Sequence, residues 1–262
     1  MLNVSYKPLI VRLLSLLIFI VPVYCEAKSI KLLNSLLESA YSAHITDGYV
    51  DYTDMKGNRR FIKYHEILAT FDVGTLQSKE DQIAFWLNTY NALAVKMVTQ
   101  GVTPVNTMGR IKFFRTNQHL VGGKKYDLNA IEEILAKFED PRIYFALTDA
   151  AYTAPQLRAE AYRGRDINEQ LNASTSAFVN DNRKNRFLKS LEIAKLSKIF
   201  ERKARSFGKS ETDLIAWIAE YVQDEEVQKG LRLGRYEIKY LDYEYNINGK
   251  RDYSKRDIMK KF

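Results

Sequence analysis

Between Ser29 and Ala43, Ile30, Leu33, Leu36, Leu37 and Tyr41 recur at helical spacing behind Ser29 as an N-cap. Thr46–Tyr52 (TDGYVDY) predicts a turn entering a short extended segment, and a second helix is expected over about Arg60–Phe71. The strongest pattern is Ser78–Gln100 (SKEDQIAFWLNTYNALAVKMVTQ), capped by Ser78, complemented at its positive end by Glu80 and Asp81, and stopped by Gly101. Residues 101–126 read as a loop region punctuated by Pro104 and Gly109. They end in a hairpin, HLVGGKKYDL, turning at Gly122-Gly123. Asp127–Phe138 is again helical, and Arg142–Leu147 (RIYFAL) has the branched and aromatic character of a buried strand. The loop DAAYTAP follows. A helix near Asp166–Phe178, a basic stretch, a helix near Glu211–Val222 and a strand near Tyr236–Tyr240 complete the pattern. The irregular alternation predicts one α+β domain, helix-rich, with a small antiparallel or mixed sheet.

The first 27 residues stand apart from that domain. Lys7 and Arg12 precede Leu13–Val23 (LLSLLIFIVPV), a segment too short to span a bilayer and of the right length for the core of a secretory leader. Cys25-Glu26-Ala27 places small side chains where a leader peptidase needs them, so cleavage is expected after Ala27. Tyr24, in front of Cys25, disfavours lipid attachment at that cysteine. The expected layout is a signal peptide over 1–27, a folded domain over 28–248 and a basic tail over 249–262. The product would be exported, periplasmic or secreted, with no membrane-spanning segment once the leader is removed.

Composition then narrows the chemistry. The chain has 262 residues with 12 Gly, 5 Pro and 1 Cys, which suits a globular domain and excludes collagen-like, disordered and disulfide-scaffold classes. The full chain carries +8; the leader holds two bases and one acid, so the remainder carries +7 and contains no cysteine. Thiol, Cys-metal and disulfide-exchange chemistry are therefore closed to it. Phosphate-binding Gly-rich loops, GxSxG elbows and metal-spaced histidine pairs are absent, so neither a cofactor nor a metal is expected. Ten Lys/Arg over Arg183–Lys209 and six more in Gly249–Phe262 form basic runs. In an exported protein these suit an envelope polymer, an acidic protein or a solvated surface rather than nucleic acid.

Ser78–Gln100 is apolar on most of its circumference, so Asn88 and Asn91 are amides on a buried helix that require partners. They either tie down the backbone of a neighbouring loop or form a ligand-facing, oxyanion-stabilising pair. The same helix carries AFWLNTYNAL (Ala84–Leu93), which resembles the hallmark segment of the domain-of-unknown-function 547 family. DGYVDY (Asp47–Tyr52), LNAIEEIL (Leu128–Leu135), RIYFAL, APQLRAEAY (Ala154–Tyr162) and YEYNIN (Tyr243–Asn248) agree with it in order. The resemblance covers about Ser29–Asn248 and brings no assigned activity.

The departures from that family bear on chemistry. Bacterial members typically follow the RIxFAL segment with two cysteines and carry a histidine early in it. Here Asp149 and Ala154 stand at the cysteine positions, Tyr144 at that histidine, and Glu133 where a second histidine is common. If those family positions are catalytic, this chain is a member that has lost the chemistry. The expected function is a non-catalytic module that binds a small molecule, polymer or acidic partner, with Asn88, Tyr90, Asn91, Tyr152 and Thr153 lining its cleft. The alternative is a cysteine-independent, hydrolase-like enzyme in which Asp149 works with His119 or His44. Asp149 also has a plain structural reading, an Asx turn at the exit of the segment.

Overall fold

The computed structural model describes residues 29–249; the expected leader, Lys28 and the tail beyond Gly249 lie outside the described residues. The order is α1 (Ile30–His44), β1 (Ile45–Thr46), β2 (Tyr49–Val50), α2 (Tyr52–Gly57), α3 (Arg59–Leu68), α4 (Lys79–Thr99), α5 (Thr107–Ile111), β3 (His119–Val121), β4 (Lys124–Tyr126) and α6 (Leu128–Ala136). It continues with α7 (Ile167–Val179), β5 (Arg186–Leu188), β6 (Ile193–Leu196), α8 (Lys198–Arg202), α9 (Glu211–Ala219), α10 (Glu225–Arg232) and β7 (Glu237–Tyr240). The fold is α+β and helix-rich. Its largest sheet is mixed, with β6 antiparallel to β5 and parallel to β7.

The central helix α4 begins where Ser78 Oγ accepts the Asp81 backbone N–H at 3.0 Å. Every residue from Ile83 to Val95 is buried, so burial rather than propensity holds it in place. Leu87, Leu93 and Met97 are almost fully enclosed, and burial of each such side chain contributes about 1.5–3 kcal/mol. The β3–β4 turn has both glycines at positive φ, 56° and 78°, as a two-residue hairpin requires. Its Gly122 and Gly123 N–H groups donate to the Leu68 and Ala69 carbonyls, satisfying the C-terminal end of α3. A side chain at Gly122 would meet the Phe71 carbonyl oxygen at 2.8 Å.

Several segments depart from the sequence expectation. RIYFAL is not a strand: residues Pro141–Phe145 form a 3-10 helix. Asp140 caps it by accepting the Arg142 N–H, and Pro141 fits the first helical position, where its missing N–H costs nothing. A short apolar run does not distinguish a buried strand from a buried helical turn. The loop region 101–126 contains α5 and a π-helical turn over Lys112–Thr116, and α2 and α10 were not anticipated. The basic stretch holds β5, β6 and α8, and many of its charges are neutralised internally: Lys184 by Asp181, Lys189 by Asp224 and Glu226, Lys198 by Glu201.

The buried apolar residues form two clusters. The larger is centred on α4 and includes α1, α3 and α6; the smaller joins α8, α9, α10 and the three-stranded sheet around Phe200 and Phe207. Phe145, from the end of the 3-10 helix, belongs to the second cluster and stacks on Trp217 at 5.5 Å. The residues just after it therefore emerge where the two cores meet.

Candidate functional site

Asn91 fixes that emerging loop. Its Nδ2 donates to the Ala146 carbonyl at 2.9 Å, and its Oδ1 accepts the Thr148 N–H at 2.8 Å, all within the buried interior. Asn88 treats another loop the same way, donating to the Tyr162 carbonyl at 2.8 Å and accepting the Tyr162 N–H at 2.9 Å. Both amides are committed to backbone, and neither lines the cleft described next.

One residue beyond Thr148, Asp149 forms an Asx turn by accepting the Ala151 N–H at 3.1 Å. Ala150 within it takes a left-handed φ of 62°, a strained conformation for a residue with a Cβ. The turn directs the Asp149 carboxylate into a cleft of about 360 Å³. One wall is Asn129 and Glu132 of α6 with Tyr90 of α4 behind them; the facing wall is Ile199 and Arg202 of α8 with Lys203. Phe114 and Arg115 from the π-helical turn, Tyr144 and Leu147, and Tyr243 and Tyr245 from the C-terminal segment close the rest.

The Tyr243 hydroxyl lies 2.9 Å from each Asp149 oxygen and donates to the carboxylate. Desolvation pushes the Asp149 pKa up to about 6, opposed by the hydrogen bonds from Tyr243 and the Ala151 N–H and by the Arg202 charge, and reinforced by Glu132. Burial raises the Tyr90 phenol well above its ordinary value, and the Glu132 and Asp149 carboxylates add to the shift. Glu132 is ion-paired with Lys203, whose ammonium also sits 4.9 Å from the Tyr144 ring centre. The Arg202 guanidinium lies over two rings, 4.7 Å from Tyr243 and 5.7 Å from Tyr245. Arg110 approaches Tyr245 at 4.7 Å. Among the described residues, no carboxylate comes within ion-pair distance of Arg115 or Arg202.

The C-terminal segment is tied down by the residues that follow Asp149. The Thr153 hydroxyl donates to the Glu244 carbonyl at 3.1 Å and accepts the Glu244 N–H at 3.0 Å. Tyr152 N–H donates to the Asn246 carbonyl at 2.6 Å, and Ala151 bridges Ile247. Thr153 thus positions Tyr243 and Tyr245. The Tyr152 side chain lines a separate recess of about 20 Å³ beside Arg183 and Lys184.

Of the residues singled out from the sequence, Tyr90, Tyr144 and Asp149 meet in the cleft; Asn88, Asn91, Tyr152 and Thr153 do not line it. None of the three histidines lines it either. His119 is buried on β3, where desolvation and the Lys96 cation hold its pKa down to about 4 against the opposing pull of Asp127. His44 Nε2 lies 2.9 Å from Asn58 Nδ2, and His65 is held well below its ordinary value by burial, Lys96 and His119. The structure therefore does not bring Asp149 together with His119 or His44. Missing from the sequence reading were Glu132, Arg202, Lys203, Tyr243 and Tyr245. The Tyr-x-Tyr spacing at 243 and 245 was the one available signal, since alternate residues of an extended segment share a face.

Among the described residues no helix is long and apolar enough to cross a membrane, and no group of three or more His, Cys, Asp or Glu side chains is placed to hold a metal. Residues 74–179 match the model of a family described as a protein of unknown function, DUF547. The match covers α4, α6, Tyr144 and Asp149 but ends before Arg202, Lys203, Tyr243 and Tyr245, so it spans part of the cleft lining. No curated protein and no solved structure matches the chain.

Proposed function

We propose that this chain is a binding module that takes a carboxylate- or phosphate-bearing ligand in the cleft between α6 and α8, without covalent chemistry. The observation that carries the reading is Arg202. Its guanidinium is held over Tyr243 and Tyr245 with no carboxylate in ion-pair distance among the described residues, and it lines the cleft. A guanidinium held by ring faces keeps its planar fork of N–H donors free, and that fork matches the two oxygens of a carboxylate or phosphate. Arg115 adds a second cation with no carboxylate in ion-pair distance among the described residues, while Lys203 is already engaged by Glu132. The leader expected over residues 1–27 would place this binding in the periplasm or outside the cell.

Asp149 favours a second reading. A carboxyl group whose pKa is pushed up to about 6, sharing a cleft with the Glu132 carboxylate, has the arrangement of an acid–base pair. That would be a cysteine-independent hydrolase with Glu132, rather than a histidine, as the partner of Asp149. Binding is preferred because Glu132 is already engaged by Lys203 and both Asp149 oxygens by the Tyr243 hydroxyl.

Titration calorimetry with galacturonate, inorganic phosphate and glucose tests the binding reading. At least one of the two anions should bind and glucose should not. Arg202→Ala should weaken the anion by about tenfold or more, the scale of one charge-assisted hydrogen-bonded pair. Its thermal midpoint should fall by only a few degrees, because Arg202 is exposed and the change removes little beyond its two ring contacts. Anion binding that is indifferent to Arg202→Ala, or absent from both anions, refutes it.

A further inference from the structure

The cleft does not end at Tyr144. A second cavity of about 280 Å³ lies on the far side of that side chain, lined by Leu135, Ala136, Glu139, Ile143, Arg205 and Ser206 among others. Tyr144 lines both cavities, with the Ser206 hydroxyl 3.4 Å from its own and Lys203 over its ring. The two walls advance in step. On one side α6 contributes Asn129 and Glu132 to the first cavity, then Leu135 and Ala136 to the second. On the other side Arg202 and Lys203 serve the first, and Arg205 and Ser206 the second. Asn129 to Ala136 alone spans about 10 Å of helix, so the recess is a groove longer than one small ring.

We infer that this groove binds a chain of acidic sugar residues, with Tyr144 between two binding positions and Arg202 and Arg205 each receiving a carboxylate. The inference rests on the anion-binding reading of the Arg202 cleft and extends it to a polymer. Arg205 has no carboxylate within ion-pair distance among the described residues, whereas Asp140 in the second cavity is already held by Arg142 at 2.6 Å. Glu139 remains at the far end as an acceptor for hydroxyl groups. A peptide is the weaker candidate. The groove walls are mostly helical, and helical backbone N–H and C=O groups are spent internally, so an extended peptide finds no strand edge to pair with. The groups on offer are side-chain hydroxyls, an amide, aromatic faces and guanidinium forks, which suit hydroxyl-rich rings bearing carboxylates.

The experiment compares galacturonic acid with its defined dimer and hexamer by calorimetry, using the chain from Lys28 to Phe262, Arg202→Ala and Arg205→Ala. Neutral cellohexaose and poly-glutamate serve as controls. The hexamer should bind about tenfold or more tightly than the monomer, because the second position is engaged at high effective concentration. Arg205→Ala should abolish that gain, bringing hexamer affinity down to that of the monomer. Equal affinity for monomer and hexamer, or a gain insensitive to Arg205→Ala, overturns the extended groove but leaves the Arg202 cleft standing. Absence of any monomer binding, with phosphate still bound through Arg202, overturns the sugar class alone. Poly-glutamate or cellohexaose binding as tightly as the acidic hexamer overturns it as well. Loss of phosphate binding too would instead be the failure of the cleft reading beneath it.

Discussion

Replacing Asn91 by Leu keeps the number of side-chain heavy atoms and improves helix propensity, yet it should destabilise the protein. The native amide satisfies two backbone groups, the Ala146 carbonyl and the Thr148 N–H, in residues only 1% and 2% exposed. Water cannot reach them once the amide is gone. Each unsatisfied buried group costs about 1–3 kcal/mol, so the gross penalty is about 2–6 kcal/mol. Burying a leucine in place of an amide returns up to about 1.5–3 kcal/mol. The expected net loss is therefore about 0.5–3 kcal/mol, set against the 5–15 kcal/mol that holds a domain together. For a chain of this size that is about 1–12 °C in thermal midpoint. Urea unfolding followed by tryptophan fluorescence measures it, with Trp86 in the larger cluster and Trp217 packed against the smaller one. Because the clamp ends one residue before Asp149, the same variant should also weaken anion binding at a urea concentration where it remains folded. An Asn91→Leu protein within about 0.5 kcal/mol of the parent, binding anions normally, would refute the clamp.

Asp149→Asn tests the electrostatics of the cleft. If a separation of roughly 8 Å between the carboxylate and the anion is taken for the calculation, at an effective dielectric near 20, neutralising it removes about 2 kcal/mol of repulsion, some thirtyfold in affinity before salt screening. Wild-type affinity for galacturonate should therefore rise as pH falls through about 6, where Asp149 takes up its proton. The variant should show high affinity that is flat across the same range; an unchanged pH profile would remove Asp149 from the site, and loss of a hydrolytic turnover by about 10²–10⁴ would establish the acid–base reading instead. His119→Gln tests the buried histidine. A folded-state pKa lowered from 6.5 to about 4 contributes stability that is present above 6.5 and lost as pH falls toward 4. At most about 3 kcal/mol is at stake, and Asp149 opposes it, gaining stability as its proton is taken up over part of the same window. Urea midpoints of the variant between pH 7 and 4 should fall less steeply than those of the parent; equal slopes would show that His119 is not the group being charged.

Local signals were enough for much of the scaffold. Ser78 with its acidic first turn, the apolar circumference up to Met97 and Gly101 fixed the position and burial of α4, and Gly122-Gly123 fixed the hairpin, because caps and two-residue turns are decided by neighbours in sequence. The need of Asn88 and Asn91 for partners was equally local, since it follows from placing an amide on a buried helix face. RIYFAL misled because its five apolar residues satisfy a strand and a buried helical turn alike. The choice fell to Asp140 and Pro141 just upstream, which cap and start a 3-10 turn.

The cleft was another matter. Asp149 stood out in the sequence by what it replaced, but its pKa depends on burial, opposed by the Tyr243 hydrogen bond and the Arg202 charge and reinforced by Glu132, all set by residues outside its own segment. Arg202 and Arg205 looked like any other members of a basic run. Only the meeting of two cores at Phe145, and the return of the C-terminal segment across Thr153, separates the charges that Asp181, Asp224 and Glu201 neutralise from those left facing a groove. Sequence spacing determines which residues share a face of one element. Which charges lose their partners, and which carboxylate loses its water, depends on contacts between elements distant in the chain, and those exist only in the folded molecule.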